Sequence, residues 1–524
     1  MTDILLVTIN ARYQHASLGL RCLLANLGEL APRASILEFV SGARTEDLLE
    51  RVLARRPRIV GIGVYIWNVD ESTRLVAQLR AVAPEVIVVL GGPEVSHETE
   101  SQRICQLADH VVTGPGEAAF AALCGELLEG RRPASRVVPG GAPAPASLAL
   151  PYALYDADDV RNRFLYVEAS RGCPFRCEFC LSALDRTAEP FPLQAVLGAL
   201  GDLHARGARR FKFVDRTFNL KVSTSLAILG FFLDRLEERP DDPVFAHFEL
   251  VPDHLPDRLR EAIRRFPPGT LQLEIGIQTW DPQVQALISR RQDNAKAAEN
   301  LEWLARETHA HTHVDLIAGL PGEDLEGFGA GFDRLVALAP DEIQVGILKR
   351  LRGAPIARHS QAFGMRYNPE PPYNVLATDR IAFGDMQRLA RFARYWDLIG
   401  NSGRFPRTLP LVLGGSPFRR FMALSDWLYA RTDATSRLAA ERQFELVRDW
   451  LHEQDAGGCR DAIDEAIVAD YAASGARGRP SFLARAGTGI APPAVAPPAV
   501  VAPTAGAAPK RQSRHLARPE GLSR

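Results

Sequence analysis

The stretch 170-SRGCPFRCEFCLSAL-184 places Cys173, Cys177 and Cys180 within eight residues. Three readings compete for such a group. A disulfide framework spaces its cysteines along a secreted chain and pairs them, whereas this chain has seven, with Cys22, Cys105, Cys124 and Cys459 scattered in apolar or helical contexts. Structural zinc takes four ligands, so a distant His or Cys would have to complete the set. A cubane iron–sulfur cluster held by three thiolates leaves one iron open to an exogenous ligand.

What flanks the cysteines bears on the fold. FLYVEAS (164–170) reads as a strand, so the three thiols fall in the loop beyond its C-terminal end. Further strand candidates follow at 209–215 (RRFKFVD), 244–250 (VFAHFEL), 271–277 (LQLEIGI), 313–319 (HVDLIAG) and 342–348 (EIQVGIL), with helical stretches between them. Six βα repeats predict a partial or complete βα barrel, with its chemistry at the C-terminal ends of the strands.

Upstream, residues 1–130 also alternate buried runs with amphipathic segments: ILLVTI (4–9), IVGIGVYIW (59–67), EVIVVLGGPE (85–94) and HVVTGPGEAAF (110–120). That pattern predicts an open parallel α/β sheet, with ligands beyond the carboxyl ends of its strands. Residues 133–160 are rich in Pro, Ala and Gly and read as a linker. From 361 to 476 the pattern is mostly helical, and the Pro/Ala-rich stretch 477–524 reads as a disordered tail.

Composition sets outer limits. The chain has 524 residues, 46% apolar and 24% charged, with a net charge of -1, so it reads as a multi-domain globular protein. Near-neutral charge gives no support to long-range attraction toward nucleic acid or an acidic membrane. No apolar run approaches the ~20 residues of a membrane span, and MTDILLVTIN reads as a strand rather than a signal peptide. The expected compartment is the cytoplasm.

On these motifs the chain resembles the cobalamin-associated branch of the radical S-adenosylmethionine (SAM) superfamily. Cys-x3-Cys-x-aromatic-Cys matches that superfamily's cluster motif, with Phe179 at the aromatic position. The resemblance implies that Cys173, Cys177 and Cys180 hold a 4Fe–4S cluster whose open iron binds SAM. It also implies SAM contacts near Asp215 in FKFVDRTFN, where Arg216 replaces a second Asp of the family pattern, and near Glu249 in HFEL. LEIGIQTWD resembles the fifth-strand segment and marks Gln278, while HVDLIAGLPGED resembles the sixth and marks Ile317 and Gly319, with Gly322 and Glu323 in the turn.

The first module resembles a Rossmann-like cobalamin-binding domain, assigned to residues 1–132 ahead of a barrel over 161–360. Gly91 and Gly92 (with Pro93 and Glu94), then Gly114, Gly116 and Glu117, stand where that family carries its glycine turns. The Asp-x-His-x-x-Gly lower-ligand motif is absent. His15 in NARYQHASLGL is a candidate cobalt ligand, set against a helix-start role with cobalamin bound without histidine.

LKRLRGAPI (348–356), NPEPPYNVLATD (368–379) and GNSGRF (400–405) look like the C-terminal region of one branch of these proteins. Tyr373, Tyr395 and Trp396 are candidates for a substrate pocket or for core packing. The alternating His309, His311 and His313 would share a strand face, where local hydrogen bonding competes with a metal role.

The resemblance implies a radical enzyme using a 4Fe–4S cluster, SAM and cobalamin to methylate an unactivated carbon of a small molecule. A reductant such as flavodoxin or ferredoxin would supply electrons. Rearrangement, ring contraction or cyclisation without methyl transfer shares every motif, because the cofactors carry the hard chemistry. A redox or cobalamin sensor is a third reading, which the intact barrel segments disfavour.

Overall fold

The structure is a computed structural model describing residues 2–131, 133–455, 457–485 and 508–516. The chain divides into two compact units. The first comprises 1–218 with the returning segments Lys349–Arg358 and Tyr367–Asn374, and the second comprises the remainder.

The first unit is built on six parallel strands: β1 (Ile4–Asn10), β2 (Ala34–Val40), β3 (Ile59–Gly63), β4 (Ile87–Gly91), β5 (His110–Thr113) and β6 (Val137–Pro139). Their order is β2-β1-β3-β4-β5-β6. Every residue of β1 is buried, because helices cover both sheet faces; a strand buried on both sides needs a continuous apolar run, and ILLVTI supplies one. The order reverses direction between β1 and β3, the switch point at which a crevice opens beyond the strand ends.

The stretch expected to be a linker is partly built into this unit. Val137–Pro139 adds β6 to the sheet edge, and Tyr152 and Tyr155 are buried, with the Tyr155 hydroxyl donating to the Tyr166 carbonyl at 2.8 Å. Its Pro/Ala-rich composition hid a short edge strand and two anchoring aromatics. Two further strands in the first unit, β7 (Leu165–Val167) and β8 (Arg210–Phe213), pair in parallel.

The second unit holds β9 (Phe245–Leu250), β10 (Leu271–Gln278), β11 (His311–Ala318) and β12 (Glu342–Ile347), parallel and paired in sequence order. Helices separate successive strands, so all six expected βα repeats are present. Five helices follow from Phe383 to Ala473, and Phe392 and Trp396 pack edge-on with both Phe332 and Phe421 in one aromatic cluster. Within the tail expected to be disordered, residues 481–485 and 510–516 are helical, while 486–507 and 517–524 lie outside the described residues. Among the described residues no helix is long and apolar enough to cross a membrane.

Candidate functional site

The cysteine loop leaves β7 and returns through a two-residue antiparallel ladder that pairs Ser170–Arg171 with Glu189–Pro190. Within this closed excursion the Cys173 amide donates to the Asp185 carbonyl at 2.7 Å, and the Cys180 amide to the Cys177 carbonyl at 3.1 Å. Cys173 and Cys177 are buried, Cys180 is half-buried, and none of the three is in a disulfide. Burial pushes the Cys173 thiol above its usual range, and the neighbouring Cys180 and Cys177 add to the rise, so the three sulfurs share one environment. Phe179 is half-buried in the turn between the last two cysteines.

Among the described residues no group of three His, Cys, Asp or Glu side chains is arranged around a single metal ion. The zinc alternative therefore lacks a completed site. A cubane makes a different demand, because each thiolate binds its own iron and the sulfurs need not converge on one point. Three cysteines within eight residues, none in a disulfide, fit that donor set.

Asp215, just past β8, is buried, with both carboxylate oxygens engaged. The Ala169 amide donates to it at 3.0 Å and the Ser170 hydroxyl at 2.6 Å. Burial pushes its carboxyl up to about 6 against these two bonds. Asp215 thus fastens the chain where it enters the cysteine loop.

A cavity of about 310 Å³ opens at the carboxyl edge of the first sheet. Gly91, Gly92, Gly114, Gly116 and Glu117 all line it, together with the face of the helix Leu18–Ala25 and the side chains of Tyr65 and Phe120. At Gly92 the backbone has φ 107°, and a Cβ there would sit 2.5 Å from the Val64 carbonyl oxygen, so only glycine fits. A lining rich in glycine and aliphatic side chains suits a flat or elongated organic ligand that approaches backbone closely.

One wall of the cavity is charged and adjoins the cysteine loop. Arg171, two residues before Cys173, is gripped by Glu168 through two bonds at 3.0 and 2.8 Å and reaches Glu117 at 2.9 Å. Sequence reasoning passed over Arg171 and Glu168, although a basic residue abutting the first cluster cysteine was a visible signal.

His15 lies outside the cavity lining. Its Nδ1 is hydrogen-bonded to the Tyr166 hydroxyl at 2.6 Å, and burial pushes its imidazole below the usual range.

In the second unit, Gln278 ends β10 with a left-handed backbone, φ 70°, at a register shift between Gly276 and Gln278. Its buried Oε1 has no hydrogen-bond partner. Bulges that re-aim a side chain in this way recur beside active sites. Glu249 is half-buried on β9, Ile317 half-buried on β11, and Gly319 buried just past that strand. Glu323 was read only as a turn residue. It is buried, accepts from the Thr279 hydroxyl at 2.7 Å, and has a carboxyl pushed up to about 8 by burial.

The three alternating histidines do not gather. His309 is exposed, His311 Nε2 lies 3.1 Å from Glu342, and His313 lies 3.7 Å from Asp315. Tyr395 and Trp396 are core residues, the Tyr395 hydroxyl donating to the Ala434 carbonyl at 2.8 Å. Tyr373 is also buried, and its hydroxyl donates to Glu94 at 2.7 Å.

Comparison with known proteins follows the same division of the chain. Family models match at residues 4–124 (B12 binding domain), 167–334 (radical SAM superfamily) and 361–489 (protein of unknown function, DUF4080). An uncharacterised methyltransferase of Pyrococcus horikoshii is 31% identical over 235 residues, which is 39% of this chain and 50% of that protein. The chain spans about half or less of the length of the first curated relatives it matches.

Among solved structures, the radical SAM methyltransferase TsrM of Kitasatospora setae, with cobalamin and a [4Fe-4S] cluster bound, aligns with TM-score 0.56 and 19% identity. That alignment covers 74% of this chain and 85% of TsrM. The cobalamin-dependent SAM radical enzyme OxsB, with aqua-cobalamin bound, aligns with TM-score 0.58 and 13% identity over 89% of this chain and 80% of OxsB. The chain thus carries a segment that matches the B12 binding domain ahead of a segment that matches the radical SAM superfamily.

Proposed function

We propose that the protein is a cobalamin-dependent radical SAM enzyme that methylates an unactivated carbon of a small-molecule substrate. The observation that carries this reading is the placement, within one unit, of three clustered cysteines outside any disulfide, in a loop whose base, at Glu168 and Arg171, forms the charged wall of a glycine-lined cavity. The methyltransferase names of the Pyrococcus relative and of TsrM support group transfer over rearrangement.

In this reading Cys173, Cys177 and Cys180 hold a 4Fe–4S cluster, and the cavity lined by Gly91, Gly92, Gly114, Gly116 and Glu117 receives part of the cobalamin. Reduction of such a cluster supplies the electron that cleaves SAM to a 5′-deoxyadenosyl radical. The chain's own residues orient and enclose. Asp215 holds the loop entrance, and Arg171 joins the loop base to the cavity wall through Glu117 and Glu168. Phe179 is the SAM-side candidate within the first unit; the second unit by itself presents Gln278, whose amide oxygen has no hydrogen-bond partner. His15 lies outside the cavity lining and is not among the residues that would hold the cobalamin there.

Product analysis tests the reaction class. Anaerobic incubation of the reconstituted protein with cobalamin, SAM, reductant and an extract of candidate small molecules should yield S-adenosylhomocysteine beside 5′-deoxyadenosine. 5′-Deoxyadenosine alone, across substrates that are consumed, would replace methyl transfer with rearrangement.

A further inference from the structure

The segment Lys349–Arg358 returns to the first unit after β12, and its arginines are distributed between two places. At its start, Arg350 reaches Glu98 at 2.8 Å. Arg352 bonds Glu94 at 3.0 Å and Glu98 at 2.8 Å, and its guanidinium lies over the Tyr373 ring, 4.9 Å from the centroid. Tyr373 closes this group by donating to Glu94 at 2.7 Å. Glu94 and Glu98 belong to the turn that follows Gly91 and Gly92, two residues of the cavity lining. The fit is tight: at Gly353, where φ is 82°, a Cβ would collide with the His97 ring.

The other end of the segment grips the cysteine loop. Glu178, which directly follows Cys177, has a side chain only 5% exposed. Arg358 takes its carboxylate in a two-pronged bond, Nε to Oε2 at 2.7 Å and Nη2 to Oε1 at 2.5 Å. The Ile356 amide donates to the Glu178 carbonyl at 2.9 Å, and Ile356 itself is fully buried. Burying a carboxylate is costly unless it is compensated, so the Arg358 fork contributes to holding this turn of the loop in place.

We propose that Lys349–Arg358 is a strap that fixes the cysteine loop against the cofactor edge of the first sheet, with Arg352 and Arg358 as positioning residues. The two arginines are six residues apart, so even a fully extended chain limits their Cα atoms to roughly 20 Å of separation and ties their anchors to within two side-chain lengths of that. Reactions between two bound cofactors depend steeply on placement, and a misplacement of about 1 Å costs on the order of 10²-fold in rate. The strap therefore supplies what neither cofactor site supplies alone: a fixed spacing between them. This inference rests on the cluster and cobalamin reading above.

Paramagnetic resonance reads the spacing without turnover. In full-length protein carrying cobalamin and reconstituted cluster, both reduced to paramagnetic states, the cluster should shorten the relaxation time of the cob(II)alamin signal. Arg358→Gln takes the counter-charge from the buried Glu178 carboxylate and should lower the melting temperature; at a temperature where the variant is folded it should keep both signals while weakening and broadening that coupling. Arg352→Gln should do the same from the other anchor. Unchanged coupling in both variants, with both signals at full occupancy, overturns the strap. Absence of either signal in the unaltered protein overturns the cofactor reading, and the strap with it.

Discussion

The Asp215 carboxylate accepts the Ser170 hydroxyl at 2.6 Å while its other oxygen holds the Ala169 amide at 3.0 Å, so one buried acid clamps the last residues before the cysteine loop. The family pattern pointed to Asp215 as a SAM-side residue. Its geometry adds a local duty that does not require SAM.

That duty predicts a split between two substitutions. Asp215→Ala leaves the buried Ala169 amide without an acceptor, a loss of about 1–3 kcal/mol, and loosens the loop. Asp215→Asn keeps an acceptor and removes the burden of an ionised buried group. Iron content after reconstitution should fall markedly in the Ala variant and stay near normal in the Asn variant. Equal iron loss in both would mean that the charge, rather than the hydrogen bonds, matters.

The cavity predicts a separation of cofactors. A Cβ at Gly91 would meet nothing closer than the Val112 carbonyl at 3.7 Å, so Gly91→Leu is tolerated by the backbone and projects bulk at a lining position. Cobalamin affinity should drop about tenfold or more, equivalent to about 1.4 kcal/mol, with the cluster absorbance unchanged. Undiminished cobalamin binding in a folded Gly91→Leu protein would move the cofactor elsewhere.

Glu323 predicts a pH dependence of stability. Burial raises its folded-state carboxyl to about 8 from an ordinary 4.5, so the neutral form is the one the fold favours. Its contribution is full below about pH 4.5 and is lost as pH rises through about 8, at up to about 1.4 kcal/mol per pH unit. Glu323→Gln still accepts the Thr279 hydroxyl but cannot ionise. Melting curves between about pH 5 and pH 8 should show the unaltered protein losing stability relative to the variant as pH rises. A constant difference would show that Glu323 titrates normally.

What the sequence disclosed follows from how local each signal is. Four strands of the first sheet, the six βα strands that follow, the loop position of Cys173, Cys177 and Cys180, and the glycine turns at Gly91–Gly92 and Gly114–Gly116 are each written within a few residues, and the structure places them as read. By contrast, β2 (Ala34–Val40) and β6 (Val137–Pro139) were missed. The strap pairs Arg352 with Glu94 and Arg358 with Glu178 across separations of 258 and 180 residues. No periodicity or spacing in one chain marks such partners. Burial hid the rest. Glu323 in a turn motif looks like a surface acid, and Tyr152 and Tyr155 in a Pro/Ala-rich stretch look like linker residues until the neighbours that enclose them are known.

The three thiols carry the central claim, and one assay reaches it directly. Anaerobically reconstituted protein, given SAM and a strong reductant, is assayed by mass spectrometry for 5′-deoxyadenosine, alongside single Ala substitutions at Cys173, Cys177 and Cys180. Formation by the unaltered protein and its loss in each variant is the predicted result. Formation that persists in all three variants, or none from unaltered protein with its cluster intact, would contradict it.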